Sequence, residues 1–202
     1  MICVLVTTVK GKTDWPLLKS SLKVNKELNI MATKSVKTKF VTGKVRFSYA
    51  NVFQPAETPN GVLKYSVSIL IPKSDTETVA RFKKAFEETK AINAAVWGGS
   101  VPKLLKGGLR DGDAEKDDAA YAGHYFINAS SNERPGIVDA DLNPIIDTSE
   151  FYSGCYGRAS ITLYPYDTSG SKGIAAGLNN VQKLEDGEKF GGSTSAASDF
   201  AV

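Results

Sequence analysis

Two neighbouring stretches in the first half of the chain alternate between apolar and polar side chains with a period of two residues. The first runs from Lys39 to Phe53 and the second from Val62 to Ile71. This period is typical of half-buried β-strands. The Asn60-Gly61 pair between them is a strong turn signal, and Pro72 ends the second stretch. The sequence therefore predicts a β-hairpin. On its first strand the expected apolar face is made by Val41, Val45, Phe47, Tyr49 and Phe53.

One long helix is predicted after the hairpin. Ser74 is the expected N-cap, and Glu77 would complete a capping box with it. The helix should continue to about Val96 and stop at Gly98-Gly99. Residues 98–120 have little periodicity, so we expect a long excursion between regular elements there.

More strands are expected in the second half of the chain. Residues 121–129, 151–166 and 174–184 have strand-like patterns, and 137–138 and 145–146 are expected to be short extended pieces. Strands, one long helix and then more strands predict a mainly β domain. The expected architecture is a small, closed or partly closed OB-fold-like barrel with long loop insertions, rather than a parallel α/β sheet.

The domain is expected to cover residues 31–189. Residues 190–202 are rich in Gly, Ser and Ala, and we expect them to form a flexible C-terminal tail. Residues 1–30 are kept apart as a non-domain N-terminal extension. Because Lys26-Glu27 can be encoded by a ribosome-binding sequence, our hypothesis is that translation begins at Met31; a mobile N-terminal arm is the alternative.

The rare residue types restrict the chemistry. Cys3 and Cys155 are the only cysteines and His124 is the only histidine, which predicts neither a disulfide framework nor a structural zinc site. The apolar run Ile2–Val9 is too short to cross a bilayer, and no signal peptide is recognised. These features favour a protein of a reducing compartment, without a membrane partner, and we expect no cofactor.

Charge is unevenly divided along the chain. Residues 31–110 contain 14 Lys and Arg against 5 Asp and Glu, whereas residues 111–202 contain 6 against 15. A basic half followed by an acidic half suggests a surface that binds a polyanion. The alternative is that both charges mix on the folded surface.

Catalytic interpretations find little support in the sequence. Neither Lys10–Thr13 nor Thr42–Lys44 has the glycine frame of a phosphate-binding loop. A Ser or Cys nucleophile would need His124 as its base, and no local pattern supports that pairing. Four carboxylates lie close together in the sequence, namely Asp139, Asp141, Asp147 and Glu150. One alternative is that they hold magnesium in a nuclease. The other is that they are solvated residues that form turns.

A nucleic-acid-binding interpretation has more support. Tyr156, Arg158 and Tyr164 fall on one face of the strand predicted over 151–166, with Ser160 and Thr162 between them. Unpaired strands are held by basic groups near the phosphates and by aromatic rings on which bases stack. Further expected contacts come from the hairpin, the third strand and the long loop, and the full candidate set is Arg46, Lys64, Lys103, Lys106, Arg110, His124, Tyr156, Arg158 and Tyr164.

Four segments of the chain, in order, resemble a bacteriophage and prophage family of single-stranded DNA-binding proteins of OB-fold type. They are Lys44–Phe53, Tyr65–Lys73, Gly154–Tyr166 and Gly173–Lys183, and the resemblance extends from about residue 40 to residue 200. It implies binding of single-stranded DNA in phage replication, recombination or repair, in the cytoplasm of a bacterial host. Phage or host replication and recombination proteins, and a second copy of the chain in a homodimer, are the protein partners left open.

The chain is also similar in plan to the T7-type phage binding proteins, whose acidic tail contacts replication partners. It departs from them at the end, where only Asp199 precedes Phe200. The nine candidate residues come from the strand-face pattern and not from the family. A phage assembly protein that binds only protein is the remaining alternative.

Overall fold

The structure is a computed structural model that describes residues 38–168 and 170–191. The predicted extension 1–30 and residues 192–202 of the predicted tail lie outside the described residues, so the proposed domain limits stay predictions. The strands are β1 Thr38–Val41, β2 Val45–Glu57, β3 Leu63–Pro72, β4 Arg110–Asp111, β5 His124–Ser131, β6 Gly136–Val138, β7 Tyr156–Thr168 and β8 Ser171–Glu185. The helices are α1 Thr76–Ile92, α2 Gly112–Glu115 and the 3-10 helices Ala94–Trp97 and Ala119–Tyr121.

Five of the strands close into a barrel. β2, β3, β5, β8 and β7 are hydrogen-bonded in this order, and β7 returns to pair with β2. Neighbouring strands are antiparallel except for the parallel pair β5–β8. A closed five-stranded barrel of this kind is an OB fold. The predicted fold, mainly β with one long helix, is therefore confirmed.

The core fills the barrel interior. Its members are apolar side chains that point inward from every barrel strand, including Phe47, Val67, Ile69, Ile127, Ala129, Ile161, Leu163, Ile174 and Leu178. α1 adds Val79, Phe82 and Ala85, and the Phe82 ring meets the Phe40 ring edge-on at 5.5 Å between centroids. In the described part of the chain, no helix is both long enough and apolar enough to cross a membrane.

The single strand predicted over 39–53 is interrupted at residues 42–44. Thr42 is buried and exchanges hydrogen bonds with Ala159, its amide donating to the Ala159 carbonyl and its hydroxyl accepting from the Ala159 amide. A Cβ on Gly43 would lie 2.5 Å from the Thr78 hydroxyl oxygen. The chain therefore turns here to pass close to the first turn of α1, and β1 and β2 are separate strands.

The apolar parity predicted for β2 is lost at a β-bulge. Ser48 is opposite Ser68, but the next pair is Asn51 with Ser66, so β2 contains one extra residue at this point. Tyr49, at a φ of 47°, lies within the bulge. As a result Val52 is buried in place of Phe53, and Tyr49 is 60% exposed rather than apolar core.

The helix begins one residue later than the capping box predicts. Asp75 is the N-cap, and its carboxylate accepts a hydrogen bond from the Thr78 amide at 2.9 Å. A carboxylate also interacts favourably with the positive end of the helix dipole. Glu77, the expected second half of the box, instead lies 3.9 Å from Arg81 on the exposed face. The helix ends at Ile92, capped by Asn93, and not at the predicted end near Val96. A 3-10 turn follows over Ala94–Trp97, and Gly98, at a φ of 84°, ends that turn.

The excursion at 98–120 is partly built into the barrel wall. β5 and β8 pair at only two positions, around Ala129 and Ser130. Nearer the start of both strands, Lys106 forms a β-bridge with Gly173 of β8, and β4 pairs with β5. The excursion thereby fills the gap between the two strands. The strand predicted over 121–129 runs from His124 to Ser131, because the buried Tyr121 belongs to a 3-10 turn.

Candidate nucleic-acid interface

The polar face predicted on β7 exists. Alternate residues of this strand point inward and are buried, namely Gly157, Ala159, Ile161 and Leu163. The residues between them face outward and are partly or fully exposed, namely Tyr156, Arg158, Ser160, Thr162 and Tyr164. However, β7 is 13 residues long, and its outward residues lie in three different surroundings. The outward residues of β7 therefore do not form a single binding surface.

Tyr164 lies in a groove with Lys64. The groove has a volume of about 260 Å³, and Ser130, Thr162 and Asn179 also line it. The structure thus brings together two of the predicted residues, one basic and one aromatic, from the opening hairpin and the late strand. Asn179 exchanges hydrogen bonds with Thr162 across β7 and β8, at 2.9 and 3.1 Å, which fixes the floor of this groove.

Lys106 and Arg110 line a second groove of about 480 Å³. It lies where the excursion fills the gap between β5 and β8. Tyr166 and the outward residues Asn128 and Ser130 also line it, and its floor is formed by the buried core residues Phe82, Ile127, Leu163 and Ile174. The Lys106 side chain is exposed, although its backbone is fixed to β8. The long excursion therefore presents Lys106 from a backbone that is hydrogen-bonded to the barrel.

The Arg110 guanidinium is already engaged. Its Nε and Nη2 donate to one carboxylate oxygen of Glu115 at 2.8 and 2.6 Å, and its Cζ lies 4.6 Å from the centroid of the Phe126 ring. The Glu115 carboxylate offsets part of the positive charge that Arg110 would offer to a phosphate. Both side chains are about two-fifths exposed, so this ion pair contributes little to stability.

A third groove, of about 220 Å³, lies on the outer face of β3 and β5. Tyr49, Ser66, Ser68, Lys116, Tyr121 and Asn128 line it. Ser68 donates a short hydrogen bond, 2.5 Å, to the amide oxygen of Asn128. The alternation of apolar and polar residues over Val62–Ile71 predicts that Ser66 and Ser68 face outward. No comparable pattern in the sequence singles out Asn128 or Lys116.

The three grooves adjoin one another along β5. The first and second share Ser130, and the second and third share Asn128. These two residues are two positions apart on the outward face of the same strand. In barrel order β3 and β5 are the second and third strands, whose face binds oligonucleotides in OB folds. We call this surface, from Lys64 and Tyr164 through Lys106 to Lys116 and Tyr49, the β5 channel.

Arg158 lies away from the β5 channel. It lines a smaller groove of about 180 Å³ with Val41, Val138, Leu142 and Ser160. Its Nε is 3.4 Å from the Thr42 carbonyl oxygen. This groove shares no residue with the three described above. A DNA contact for Arg158 remains a prediction.

Arg46 and Tyr156 form part of a clamp on the segment that follows β8. The Arg46 guanidinium donates to the carbonyl oxygens of Gly154 at 3.0 Å and Glu188 at 2.8 Å. Its Cζ lies 4.0 Å from the Phe190 ring centroid and 5.2 Å from that of Tyr156. Arg46 therefore has a structural role in this structure, and its predicted contact with DNA stays untested.

Two other predicted residues lie outside the β5 channel. Lys103 is exposed on the excursion, and His124 has its Nδ1 2.7 Å from the Ala122 carbonyl oxygen. Neither lines one of the three grooves. Of the nine candidates, the structure brings together Lys64, Lys106, Arg110 and Tyr164.

Two of the four carboxylates at 139–150, Asp139 and Asp147, support turns. Asp139 accepts hydrogen bonds from the Asn143 side chain and from the amides of Asn143 and Asp141, and these bonds lower its pKa. Hydrogen bonds from Ser149 likewise lower the pKa of Asp147. Among residues 38–168 and 170–191, no group of three or more His, Cys, Asp or Glu side chains is arranged to hold a metal ion. The geometry agrees with the turn-former interpretation of these residues.

Comparison with known proteins identifies a family to which the chain is similar. The profile of the family described as Enterobacter phage Enc34, ssDNA-binding protein, matches residues 38–202. A protein named p50 from Acyrthosiphon pisum secondary endosymbiont phage 1 is 32% identical over 174 residues, covering 80% of this chain and 92% of that protein.

Solved structures show the same architecture. The single-stranded DNA-binding protein from bacteriophage Enc34, in complex with single-stranded DNA, superposes with a TM-score of 0.65 at 25% identity over 76% of this chain and 90% of that chain. For gp2.5, a single-stranded DNA-binding protein encoded by bacteriophage T7, the TM-score is 0.54 at 19% identity over 82% of this chain and 95% of that one, a likeness of fold alone. The chain belongs to the family of the single-stranded DNA-binding protein of Enterobacter phage Enc34.

Proposed function

We propose that this chain binds single-stranded DNA along the β5 channel, without catalysing a reaction, and serves phage DNA replication, recombination or repair. The observation that carries the proposal is the continuity of the three grooves through Asn128 and Ser130. That continuity gives an unpaired strand a path on a face of an OB fold that carries both lysines and tyrosines.

Each type of side chain in the β5 channel is expected to contact a different part of the nucleotide. Lys64 and Lys106 are placed to neutralise phosphates, while Tyr164 offers a ring face to a base. Serine hydroxyls and the Asn128 amide supply hydrogen-bonding groups between them. Because phosphates and ring faces are common to all nucleotides, binding on this surface should depend little on sequence.

The proposal leaves Arg46, Lys103, His124, Tyr156 and Arg158 outside the path. Arg158 is the most informative of these, because it is exposed and lies in a groove of its own. If Arg158→Ala weakens DNA binding as strongly as Lys64→Ala, the path includes the groove at Val41 and Leu142, and the proposed route is wrong.

The cellular setting follows from the phage origin of the family. Single-stranded DNA is exposed in the cytoplasm of the infected bacterium, and we infer that the protein acts there. Phage or host replication and recombination proteins are the expected protein partners. A homodimer is the other expected assembly, and sedimentation of the full chain with and without oligonucleotide tests it.

Binding itself is tested by fluorescence anisotropy with labelled oligo-dT of graded length. We expect tight binding at low salt and a linear fall of log K with log salt, with a slope of roughly −0.7 for each phosphate contacted. Duplex DNA of the same length should compete poorly. Absence of binding at low salt would favour the protein-only alternative, and cleavage of the oligonucleotide in magnesium would favour the nuclease.

A further inference from the structure

The Tyr49 ring is turned outward by the bulge in β2. In an uninterrupted strand, Tyr49 would share the inward face of Val45 and Phe47, two residues apart each time. Three steps along β2, from Ser48 to Asn51, oppose only two along β3. The extra residue reverses the parity, and β-bulges often re-aim a side chain beside a binding site.

The bulge is held from both sides. The Ala50 amide donates to the Ser153 hydroxyl at 3.0 Å. The Asn51 side-chain amide reaches the Tyr49 carbonyl oxygen and the Ser66 hydroxyl, both at 3.4 Å. These contacts hold Tyr49 at a φ of 47°, a left-handed conformation that residues other than glycine rarely adopt. Such conformations concentrate at functional sites.

The outward ring lines the third groove of the β5 channel. It is 60% exposed, and in the part of the chain that the structure describes its hydroxyl has no hydrogen-bond partner. Lys116 lines the same groove, with its Nζ 5.5 Å from the centroid of the Tyr121 ring. The Tyr121 hydroxyl is buried and also lacks a partner among the described residues, which is uncommon for a buried polar atom.

We propose that Tyr49 is a base-stacking residue at the Lys116 end of the β5 channel, presented by the bulge, with Lys116 placed for the phosphate of the same nucleotide. This inference rests on the proposed function. It gives the channel an aromatic ring at each end, Tyr164 at one and Tyr49 at the other, with Lys106 between them.

A structural role alone does not account for a tyrosine here. Glycine or asparagine adopts a left-handed φ with less strain, so the bulge by itself would favour either residue. The exposed ring also adds little to the core. The strain is therefore better explained by the use of the ring than by its packing.

The first test compares Tyr49→Asn, Tyr49→Phe and wild type for oligo-dT affinity by anisotropy. Asparagine tolerates the backbone conformation but removes the ring, so the variant should fold at least as well as wild type and bind about 5- to 100-fold more weakly. Phenylalanine keeps the stacking face and should bind within about threefold of wild type. Urea unfolding of each variant separates lost binding from lost structure.

The matched control is Leu142, which also has a positive φ, 68°, and a side chain that is 70% exposed, but lies outside the channel. Leu142→Asn should bind as wild type does. In the second test, the fluorescence of Tyr49→Trp and of Leu142→Trp is followed during titration with oligo-dT. Stacking should quench Tyr49→Trp and leave Leu142→Trp unchanged, relative to the wild-type signal from Trp15 and Trp97.

The outcomes distinguish this inference from the proposed function. Wild-type binding together with unchanged affinity of Tyr49→Asn, or with no quenching in Tyr49→Trp, overturns the role of Tyr49 and leaves the function standing. Failure of the wild type to bind oligo-dT at low salt overturns both. Loss of affinity in Tyr49→Asn, its recovery in Tyr49→Phe and quenching only at position 49 support the inference.

Discussion

The Ile174 amide donates a hydrogen bond to the Lys106 carbonyl oxygen at 2.9 Å, and this bond joins the long excursion to β8 where β5 and β8 separate. The Lys106 amide in turn donates to the Lys172 carbonyl oxygen at 3.0 Å. A lysine of the candidate interface is therefore held by the barrel wall itself. The fold therefore sets the backbone position from which the exposed Lys106 side chain extends.

Gly107→Ala should destabilise the protein strongly. Gly107 has a φ of +103°, and a Cβ there would collide with the Ile174 carbonyl oxygen. We expect a loss of about 3 kcal/mol or more in the free energy of unfolding, measured in urea. Gly99→Ala is the control, since Gly99 has a φ of +91° but no atom within 4 Å of the added Cβ, and it should lose only about 1–2 kcal/mol. Equal losses would show that the contact with β8 is unimportant.

Arg46→Met should lower stability without lowering DNA affinity. The change keeps the aliphatic stem but removes the guanidinium that holds Gly154, Glu188 and the Phe190 ring. We expect a loss of about 1–3 kcal/mol in urea unfolding. Affinity for oligo-dT, measured where the variant is fully folded, should stay within about twofold of wild type. Weakened binding with unchanged stability would instead make Arg46 a DNA contact.

Lys64→Ala and Lys106→Ala should each reduce the salt dependence of binding. Loss of one phosphate contact should make the slope of log K against log salt shallower by roughly 0.7. Lys84→Ala is the control, because Lys84 lies on the exposed face of α1 with its side chain 80% exposed. If the slope changes equally in all three variants, the lysines act through net charge rather than through position.

Acid should weaken the contact between Lys73 and Asp113. The Lys73 ammonium, 2.7 Å away, and the Gly123 amide hydrogen-bond to the Asp113 carboxylate and lower its pKa. A carboxyl whose pKa is lower in the folded state stabilises the fold above its ordinary pKa of about 4, and this contribution is lost as the pH falls through the lowered value.

Thermal unfolding at pH 7 and pH 3 tests this. Between pH 7 and pH 3, the Tm of wild type should fall further than the Tm of Asp113→Asn. High salt should reduce this difference in Tm, because the Lys73–Asp113 ion pair is partly exposed to solvent. Asp117→Asn, which changes an exposed carboxylate nearby, should behave as wild type. An equal loss of Tm in wild type and Asp113→Asn would contradict the assignment.

Much of the fold could be predicted from the sequence because local patterns agree with the tertiary structure. The alternation in β3 and β7, the Asn60-Gly61 turn and the glycine stop after α1 all depend on neighbours in sequence. The bulge at Tyr49 and the break at Gly43 could not be predicted in this way. They are set by contacts with Ser153 and Thr78, which are distant in sequence.

The candidate site was only partly predictable for the same reason. The alternation of apolar and polar residues correctly predicts that Lys64 and Tyr164 face outward. It does not predict which outward-facing residues of different strands lie next to one another. The closure of the barrel places Lys64 beside Tyr164 and leaves Arg158, on the same strand face as Tyr164, in a separate groove. Asn128 and Ser130, which join the grooves, carry no distinctive sequence signal.

The most direct test of the β5 channel is an NMR titration of the ¹⁵N-labelled protein with a short oligo-dT. We expect the largest amide shift changes on Ser66, Asn128, Ser130 and the residues around Lys64 and Lys106, with the amides around Arg158 and Gln182 unchanged. Shift changes concentrated at Arg158 and Gln182, without changes at Asn128 and Ser130, would place the DNA in the Arg158 groove and rule out the β5 channel.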